Sequence, residues 1–329
     1  LWAGTDDGLL QVSADGGANW RAIPVSDLPG VPDTAFVNDV KADLFDADTV
    51  YVCLDNHKYG DFKPYLMKST DRGRKWTSIA GDLPDRHLVW RVVQDHVKPE
   101  LLFAATEFGI FFTIDGGGNW IELPGGLPTI SFRDLAIQRR ENDLVGASFG
   151  RGFYVLDDYT PLRQIDKAAM DRQAMLFPVR KAFWYIQRRP LGGSGKADQG
   201  AAYFVADNPP FGAVFTYHLA DGMKSLEEMR REQEKKREKE WKDTPYVGYD
   251  ELERERRQPK AAILLTVRDA DGNTVRTISG PAKAGFHRVA WDLTYPTTDA
   301  IQEKPDDPWR RRRGGDPDSG FMAPPGAYT

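Results

Sequence analysis

SADGGANW (residues 13–20) returns twice along the chain, as STDRGRKW (69–76) and TIDGGGNW (113–120). All three follow the pattern Ser/Thr-x-Asp-x-Gly-x-x-Trp, which places a hydroxyl, a carboxylate, a glycine and an indole in fixed register. Hydroxyl and carboxylate oxygens accept hydrogen bonds from the backbone N–H groups of a tight turn, and glycine tolerates positive φ. The pattern therefore predicts a repeated hairpin turn plugged by a tryptophan, and its carboxylates need no substrate to explain them.

The predicted turns give structural roles to one set of residues in each copy. These are Ser13, Asp15, Gly17 and Trp20 in the first, Ser69, Asp71, Gly73 and Trp76 in the second, and Thr113, Asp115, Gly117 and Trp120 in the third.

Short apolar runs surround each turn and predict strands. Residues 1–12 and 101–113 both read as a strand, a Thr-x-x-Gly turn and a second strand, and a decayed copy at 143–162 lacks the Gly and Trp of the motif. The middle copy carries a longer loop at 55–64, and further strands are expected at 89–94 and 131–138. Four short strands per repeat are typical of the blades of a β-propeller.

The three motifs resemble the Asp-box, or bacterial neuraminidase (BNR), repeat. The run from 101 to 162, with GFHRVAWDLTYP (285–296) further on, resembles the bacterial sortilin-like or glycosyl hydrolase-like Asp-box proteins with a C-terminal immunoglobulin-like domain. This resemblance implies an all-β fold: a partial Asp-box β-propeller of about three blades, followed by a β-sandwich with a charged helical insertion.

The resulting domain prediction divides the chain into four parts. Residues 1–160 are the C-terminal blades of a propeller, 161–222 a linker and the first sandwich strands, 223–258 the charged insertion, and 259–329 the rest of an immunoglobulin-like sandwich, truncated at its end. A closed propeller generally needs at least about four blades. We therefore expect the missing blades upstream or on another chain.

Local patterns fill in the second half. Strands are expected at 174–186 and 212–219 with a glycine-rich loop at 191–200 between them, and a hairpin turning at Asp271–Gly272 leads to a third strand ending near 296. Acidic and basic residues four apart, such as Glu227 and Arg231, predict a solvated helix or helical hairpin in 223–258, or an arm that binds a partner. Residues 309–318, WRRRRGGDPD, are expected to form a loop.

Composition narrows the class of protein. A net charge of −5 gives no drive towards nucleic acid or an anionic membrane, and no stretch is long and apolar enough for a membrane span. The single cysteine, Cys53, is expected to be a buried strand thiol. The histidines show no metal-binding spacing, so we expect no metal and no cofactor. A secreted or periplasmic location follows from the resemblance alone, since no signal peptide precedes Leu1.

Candidate binding residues lie at the end of the strands opposite the Asp boxes, because the two turns cap opposite ends of one strand. Asp6, Asp7 and Glu107 are the candidate catalytic carboxylates, and Asp6 and Asp7 can equally be polar turn residues. Glycoside hydrolysis needs two carboxylates about 5 Å or 6.5–9.5 Å apart, and a sialidase would need more arginines than Arg151 on this face. The expected ligand-binding face comprises Asp6, Asp7, His57, Tyr59, Glu107, Phe108 and Arg151.

Two functions follow from the resemblance. Sortilin-type propellers bind peptides and proteins, whereas xyloglucanases cleave glucan with paired carboxylates. The sequence contains no catalytic motif that selects the second, and aromatic residues near the 55–64 loop are typical of recognition surfaces. We therefore expect an extracytoplasmic propeller that binds a protein, peptide or glycan without catalysis by this fragment; the alternative is a xyloglucanase-like glycoside hydrolase.

Overall fold

The computed structural model of the protein describes residues 1–123, 125–186, 206–298 and 319–329. The chain divides into two compact units, Leu1–Asp166 and Lys167–Thr329. The expected loops at 191–200 and 309–318 lie outside the described residues. The described elements are mostly antiparallel strands with few helices, so the fold is all-β.

The first unit consists of four successive antiparallel sheets, which we call sheets I to IV. Sheet I contains β1 (Trp2–Gly4), β2 (Leu9–Val12) and β3 (Arg21–Pro24). Sheet II contains β4 (Phe36–Ala42), β5 (Val50–Asn56), β6 (Asp61–Ser69) and β7 (Thr77–Ser78). Sheet III contains β8 (Val89–Gln94), β9 (Leu102–Thr106), β10 (Gly109–Thr113) and β11 (Ile121–Glu122). Sheet IV contains β12 (Phe132–Gln138), β13 (Asp143–Ser148) and β14 (Phe153–Leu156).

Successive sheets pack face to face, as the blades of a propeller do. In β5, Val52 and Leu54 enter the core shared with sheet I, whereas the alternate residues Tyr51 and Cys53 enter the core shared with sheet III. Side chains of a strand point alternately to the two faces of its sheet, so a strand buried on both faces is apolar throughout. The expected strands at 89–94 and 131–138 are present as β8 and β12, and Cys53 is a buried free thiol.

The grouping of strands differs from three whole blades. Sheets II and III have four strands, and sheets I and IV have three each within the described residues. The prediction of a loop at 55–64 was wrong. β5 and β6 continue through most of this segment, with Asn56 paired to Asp61. A register shift after Leu54 absorbs the extra residues, and the chain reverses in a 3-10 turn at His57–Tyr59 followed by Gly60 at φ 78°. Ladder pairing satisfies backbone groups that a loop would leave to water.

Within its described residues, the second unit contains three small antiparallel sheets around one core. Its strands are β15 (Ala174–Leu176), β16 (Ala213–Leu219), β17 (Ala262–Arg268), β18 (Thr274–Pro281), β19 (Gly285–Trp291), β20 (Thr294–Pro296) and β21 (Ser319–Met322). The expected strand at 174–186 was wrong beyond Leu176. Phe177 still donates its N–H to Thr216 at 2.9 Å, but Pro178 has no N–H to continue the ladder.

Two helices occupy the charged insertion, as the sequence predicted. A short helix α1 (Lys167–Met170) begins the unit, and the insertion forms α2 (Leu226–Lys239) and α3 (Tyr249–Arg257). Ser225 and Glu228 form a capping box at the start of α2. Arg230 of α2 binds Glu255 of α3 with Nε and Nη2 at 2.6 and 2.8 Å, so charge pairing ties the two helices together.

The hairpin between β17 and β18 turns at the expected place. Asp269 accepts hydrogen bonds from the backbone N–H groups of Asp271 and Asn273, and Gly272 has a φ of 83°. The carboxylate is thus bound by its own turn.

Candidate functional site

The aspartates of the three repeated motifs at 13–20, 69–76 and 113–120, called boxes below, bind their own turns. Asp15 accepts from the backbone N–H and the side chain of Asn19 at 2.9 and 2.7 Å, and these bonds lower the pKa of Asp15 to about 2. Asp115 accepts from Gly118 and Asn119 N–H groups at 2.9 and 3.0 Å. Burial acts to raise the pKa of Asp115, but its hydrogen bonds outweigh burial and lower that pKa to about 2.

Asp71 follows the same pattern, since it accepts from the Arg74 and Lys75 N–H groups at 2.9 and 2.8 Å. The serine or threonine that opens each box receives the N–H of the box glycine, with Ser13, Ser69 and Thr113 bonded to Gly17, Gly73 and Gly117 at 2.8, 2.8 and 3.1 Å. The box side chains are therefore occupied with holding their turns.

The glycine and tryptophan of a box pack on the preceding sheet. A Cβ added at Gly117 would lie 2.7 Å from Cβ of Ile79, and Trp120 donates its indole N–H to the Ile79 carbonyl at 2.9 Å. Trp120 is 6% exposed, whereas Trp20 in the first box is 45% exposed. A Cβ added at Gly73 of the second box would likewise lie 2.8 Å from Cδ1 of Ile23 on sheet I, so the second and third boxes both join neighbouring sheets.

A pocket opens at the other end of these strands. Its volume is about 170 Å³, and it takes residues from the β5–β6 tip, the start of β8, the β9–β10 turn and the start of β12. The lining residues are His57, Phe62, Arg86, Leu88, Trp90, Glu107, Phe108 and Arg133.

Trp90, Glu107 and Arg133 form the polar centre of the pocket. Trp90 donates its indole N–H to Glu107 Oε2 at 2.9 Å, and the Arg133 guanidinium carbon lies 3.6 Å from the Trp90 ring centroid. Arg133 Nη2 is 3.9 Å from the same Glu107 oxygen, and the Phe149 ring lies 5.1 Å from the guanidinium. Stacking on ring faces fixes the plane of the guanidinium while leaving its edge for a ligand.

His57 forms one wall of the pocket and is held from behind by the buried Asp55. The fully buried Asp55 contacts Nδ1 of His57 through Oδ1 and also accepts the His57 backbone N–H at 3.2 Å. Oδ2 of Asp55 has no hydrogen-bond partner within the part of the chain that the structure describes. The His57 ring lies edge-on to Phe36 and Trp90, with centroids 5.7 and 5.8 Å away. An Nδ1–H bonded to Asp55 orients the ring and leaves Nε2 for other partners.

The rim of the pocket is aromatic. Phe62 and Phe108 are each about two-fifths exposed, Arg86 lies 5.8 Å from the Phe62 ring centroid, and the His87 ring packs edge-on against Phe108 at 5.4 Å. The pocket therefore combines apolar walls with two arginines held against rings.

The structure brings together only part of the expected ligand-binding face. His57, Glu107 and Phe108 line the pocket, and Tyr59 is exposed in the same tip as His57. Asp6 and Asp7 are not among the lining residues; the Thr5 hydroxyl donates to Asp7 within the β1–β2 turn. Arg151 lies in the β13–β14 turn and does not line the pocket either.

Sequence reasoning missed Trp90 and Arg133. Each is the extra residue of a β-bulge near the start of its strand: Val89 and Arg91 pair with consecutive residues of β9, and Phe132 and Asp134 with consecutive residues of β13. Such bulges re-aim a side chain. Trp90 and Arg133 both occupy the second position of their strands, directly after an apolar residue, and this shared position was the only sequence signal that could have paired them. The bulge that turns their side chains towards the pocket cannot be recognised from the sequence.

The described residues contain no cluster of three or more His, Cys, Asp or Glu side chains that could hold a metal ion. None of the helices in the described ranges combines the length and the apolar character needed to cross a bilayer. Glu107 is the only carboxylate among the described residues that line the pocket.

Comparison with known proteins finds no matching family model and no matching curated protein. Solved structures do show likeness. YCF48 bound to D1 peptide is 20% identical, with a TM-score of 0.37, over 48% of this chain and 46% of that one. The GH74 xyloglucanase of Xanthomonas campestris is 18% identical with a TM-score of 0.37, over 48% of this chain and 26% of that enzyme. An ancestral GH74 enzyme is 15% identical with a TM-score of 0.38, over 92% of this chain and 40% of its own.

The chain spans less than half the length of each of these structures. These solved structures are β-propeller proteins.

Proposed function

We propose that the first unit binds a peptide segment of another protein in the pocket around Trp90, without catalysis by this chain. The observation that carries the proposal is the arginine stack: Arg133 lies on the Trp90 ring beside Glu107, so the charged groups are held in place before any ligand arrives. Phe62 and Phe108 add exposed aromatic surface at the rim. Aromatic and arginine side chains are enriched at the centre of protein interfaces.

A peptide fits this pocket better than a glycan. Sugar rings commonly stack on an exposed aromatic face, but Trp90 is 8% exposed and Arg133 covers its ring. A volume of about 170 Å³ suits one or two side chains inserted from an extended segment. The backbone of such a segment would run across the rim.

Glycoside hydrolysis remains the second candidate, since paired carboxylates could come from elsewhere in a larger protein. Within the pocket, Glu107 has no facing carboxylate among the lining residues, and Asp55 is buried against His57. Both two-carboxylate mechanisms require an acid and a base or nucleophile on opposite sides of the sugar. The pocket therefore favours binding over turnover.

Three further assignments complete the proposal. The chain is a member of the sortilin-like Asp-box proteins, its location is secreted or periplasmic, and the second unit is an immunoglobulin-like sandwich interrupted by the helical insertion. The repeated motifs at 13–20, 69–76 and 113–120 support the first, and the shared core of the three small sheets supports the third.

Peptide display tests the proposed function. A random-peptide library is selected on the chain, and the affinity of the recovered peptides is measured by calorimetry. Arg133→Ala and Glu107→Gln should each weaken binding about tenfold or more, because every 1.4 kcal/mol is a factor of ten. Arg151→Ala and Asp6→Asn are matched controls outside the pocket and should bind normally.

Parallel incubations with xyloglucan, β-glucans and sialosides count reducing ends. Turnover abolished by Glu107→Gln in a normally folded variant would overturn the binding proposal in favour of hydrolysis. Peptide binding that survives both pocket variants would remove the pocket as the site.

A further inference from the structure

The junction between sheets III and IV differs from the two junctions before it. In those, the glycine of an Asp box lies against the residue three positions after the preceding box tryptophan: Gly73 against Ile23 and Gly117 against Ile79. The same spacing from Trp120 leads to Leu123 on sheet III. No box follows on sheet IV, because the decayed repeat lacks the motif glycine and tryptophan.

Two glycines at equivalent repeat positions show that the sheet III–IV junction lacks the box that covers the sheet II–III junction. Gly81 and Gly125 both lie five residues after their box tryptophan. A Cβ added at Gly81 would lie 2.6 and 2.7 Å from the carbonyl oxygens of Gly117 and Gly118, because the third box sits directly on it. A Cβ added at Gly125 would meet nothing within 4 Å in the part of the chain that the structure describes.

A cavity of about 140 Å³ lies at this place. Trp120 shares a core with Leu66, Ile79 and Leu83 of sheet II. The counterparts of those three residues by repeat register all line the cavity, beside the edge strand β14. They are Ile110, Leu123 and Leu127.

Among the residues of the first unit that the structure describes, no tryptophan lines the cavity. In each box the tryptophan follows the aspartate by five residues, and five residues after Asp158, just past the decayed repeat, the chain has Arg163, which donates to Asp95 at 2.7 and 2.9 Å. After β14 the backbone turns at Asp158, with a φ of 45°, into the 3-10 helix Thr160–Gln164.

We propose that this cavity, the sheet III–IV socket, binds a tryptophan presented on a glycine turn of a partner polypeptide, in the manner of an Asp box. Trp120 at the sheet II–III junction supplies the template: its indole is enclosed by aliphatic side chains, and the indole N–H donates to the Ile79 carbonyl. At the sheet III–IV socket the counterpart of Ile79 is Leu123, whose carbonyl would accept the indole N–H of the partner. Exposed Val155 of β14 forms the outer wall. The socket is separate from the pocket around Trp90 and does not depend on the proposed function.

One difference defines what the partner must supply. At the filled junction Asp82 accepts the Trp120 backbone N–H at 2.6 Å, whereas its counterpart on sheet III is Gly126, which has no side chain. The socket therefore recognises the indole rather than the backbone of the turn. Burying an aromatic side chain supplies most of the affinity at such a contact.

A head-to-tail cyclised, fluorescein-labelled peptide with the sequence TIDGGGNWIE (113–122) is the probe, and its anisotropy is followed as the chain is added. The tryptophan-to-alanine peptide should bind about tenfold more weakly or worse. Val155→Arg in the chain should weaken binding to a similar degree. Val97→Arg is the matched control, because Val97 is exposed to the same extent, 57% against 53%, and lies outside the socket.

Methyl spectra give a second readout that does not depend on the variants folding. Binding at the socket should shift the methyl signals of Leu123, Leu127 and Val155. Unchanged methyl signals at saturating peptide, or equal affinity for the alanine peptide, would overturn the proposal. Self-association of the chain in the ultracentrifuge, abolished by Trp20→Ala, would identify a second copy as the occupant and overturn the assignment to a separate partner.

Discussion

Carboxylates lie at both ends of the strands in sheets II and III, but those at one end bind their own turns and the one at the other end binds side chains from other strands. At the box end, Asp71 and Asp115 accept only from groups of their own turns, within four residues along the chain. At the pocket end, Glu107 meets Trp90 and Arg133, which come from other strands. A carboxylate enclosed by its own turn stabilises that turn. Charged groups gathered from separate strands leave surfaces that a ligand can contact.

The largest effect is expected for Asp95→Ala, at the same end of the strands as the boxes, because Asp95 accepts from its own turn and also from Tyr159 and Arg163, more than 60 residues away. Asp95 is fully buried and accepts from Arg163, the Tyr159 hydroxyl and the Val97 and Lys98 N–H groups. Removing one partner of a fully buried ion pair costs about 3–5 kcal/mol, and because the Arg163 side chain keeps 17% of its surface exposed we expect the lower end of this range, about 3 kcal/mol. The free energy of unfolding, measured in urea, should fall by that amount.

Arg133→Ala at the pocket end is the control for Asp95→Ala, and its unfolding free energy should change far less. Equal losses in the two variants would mean that the pocket end is as structural as the box end.

Asp115→Ala should have the next largest effect. The variant leaves the exposed Gly118 and Asn119 N–H groups to water in place of the carboxylate, so the loss should be about 0.5–1.5 kcal/mol, the net contribution of a typical hydrogen bond. Thermal melting measures the loss, and affinity for a selected peptide is recorded at a temperature where the variant is folded. Weakened peptide binding with an unchanged melting temperature would place Asp115 in the site rather than in the fold.

Acid should weaken the box end by a smaller amount. The pKa of Asp115 falls from 3.8 to about 2 on folding, so its contribution is full above pH 4 and is lost as the pH falls towards 2. The urea midpoint of the wild type should therefore fall more steeply between pH 4 and pH 2 than that of Asp115→Asn. The difference between the two curves isolates Asp115 from the other carboxylates, and parallel curves would contradict the assignment.

The sequence was informative where a residue acts within its own repeat. Asp15, Asp71 and Asp115 recur in fixed spacing, and their hydrogen bonds are local, so one copy predicts the others. Strand positions followed in the same way from the alternation of apolar residues.

The pocket could not be predicted to the same degree. Arg133 faces Trp90 because both are bulge residues on adjacent sheets, and neither spacing nor composition encodes that meeting. The 55–64 segment was predicted as a loop because the polar residues in His57–Tyr59 are typical of one. The structure instead pairs β5 with β6 on both sides of these residues, with a register change after Leu54. Contacts between sheets depend on register and bulges, which only the folded backbone reveals.

Cys53 lies in the middle of β5 with no solvent exposure, in the core between sheets II and III. Burial raises the pKa of its thiol well above the ordinary value, and the nearby Asp39 charge adds to the effect. Only the thiolate reacts with alkylating reagents, so the folded chain is protected twice, by access and by ionisation. Because the sequence contains one cysteine, the alkylation rate of the protein reports only on how often sheet II opens and exposes this thiol. Cys53 is therefore an intrinsic probe of the opening of the first unit.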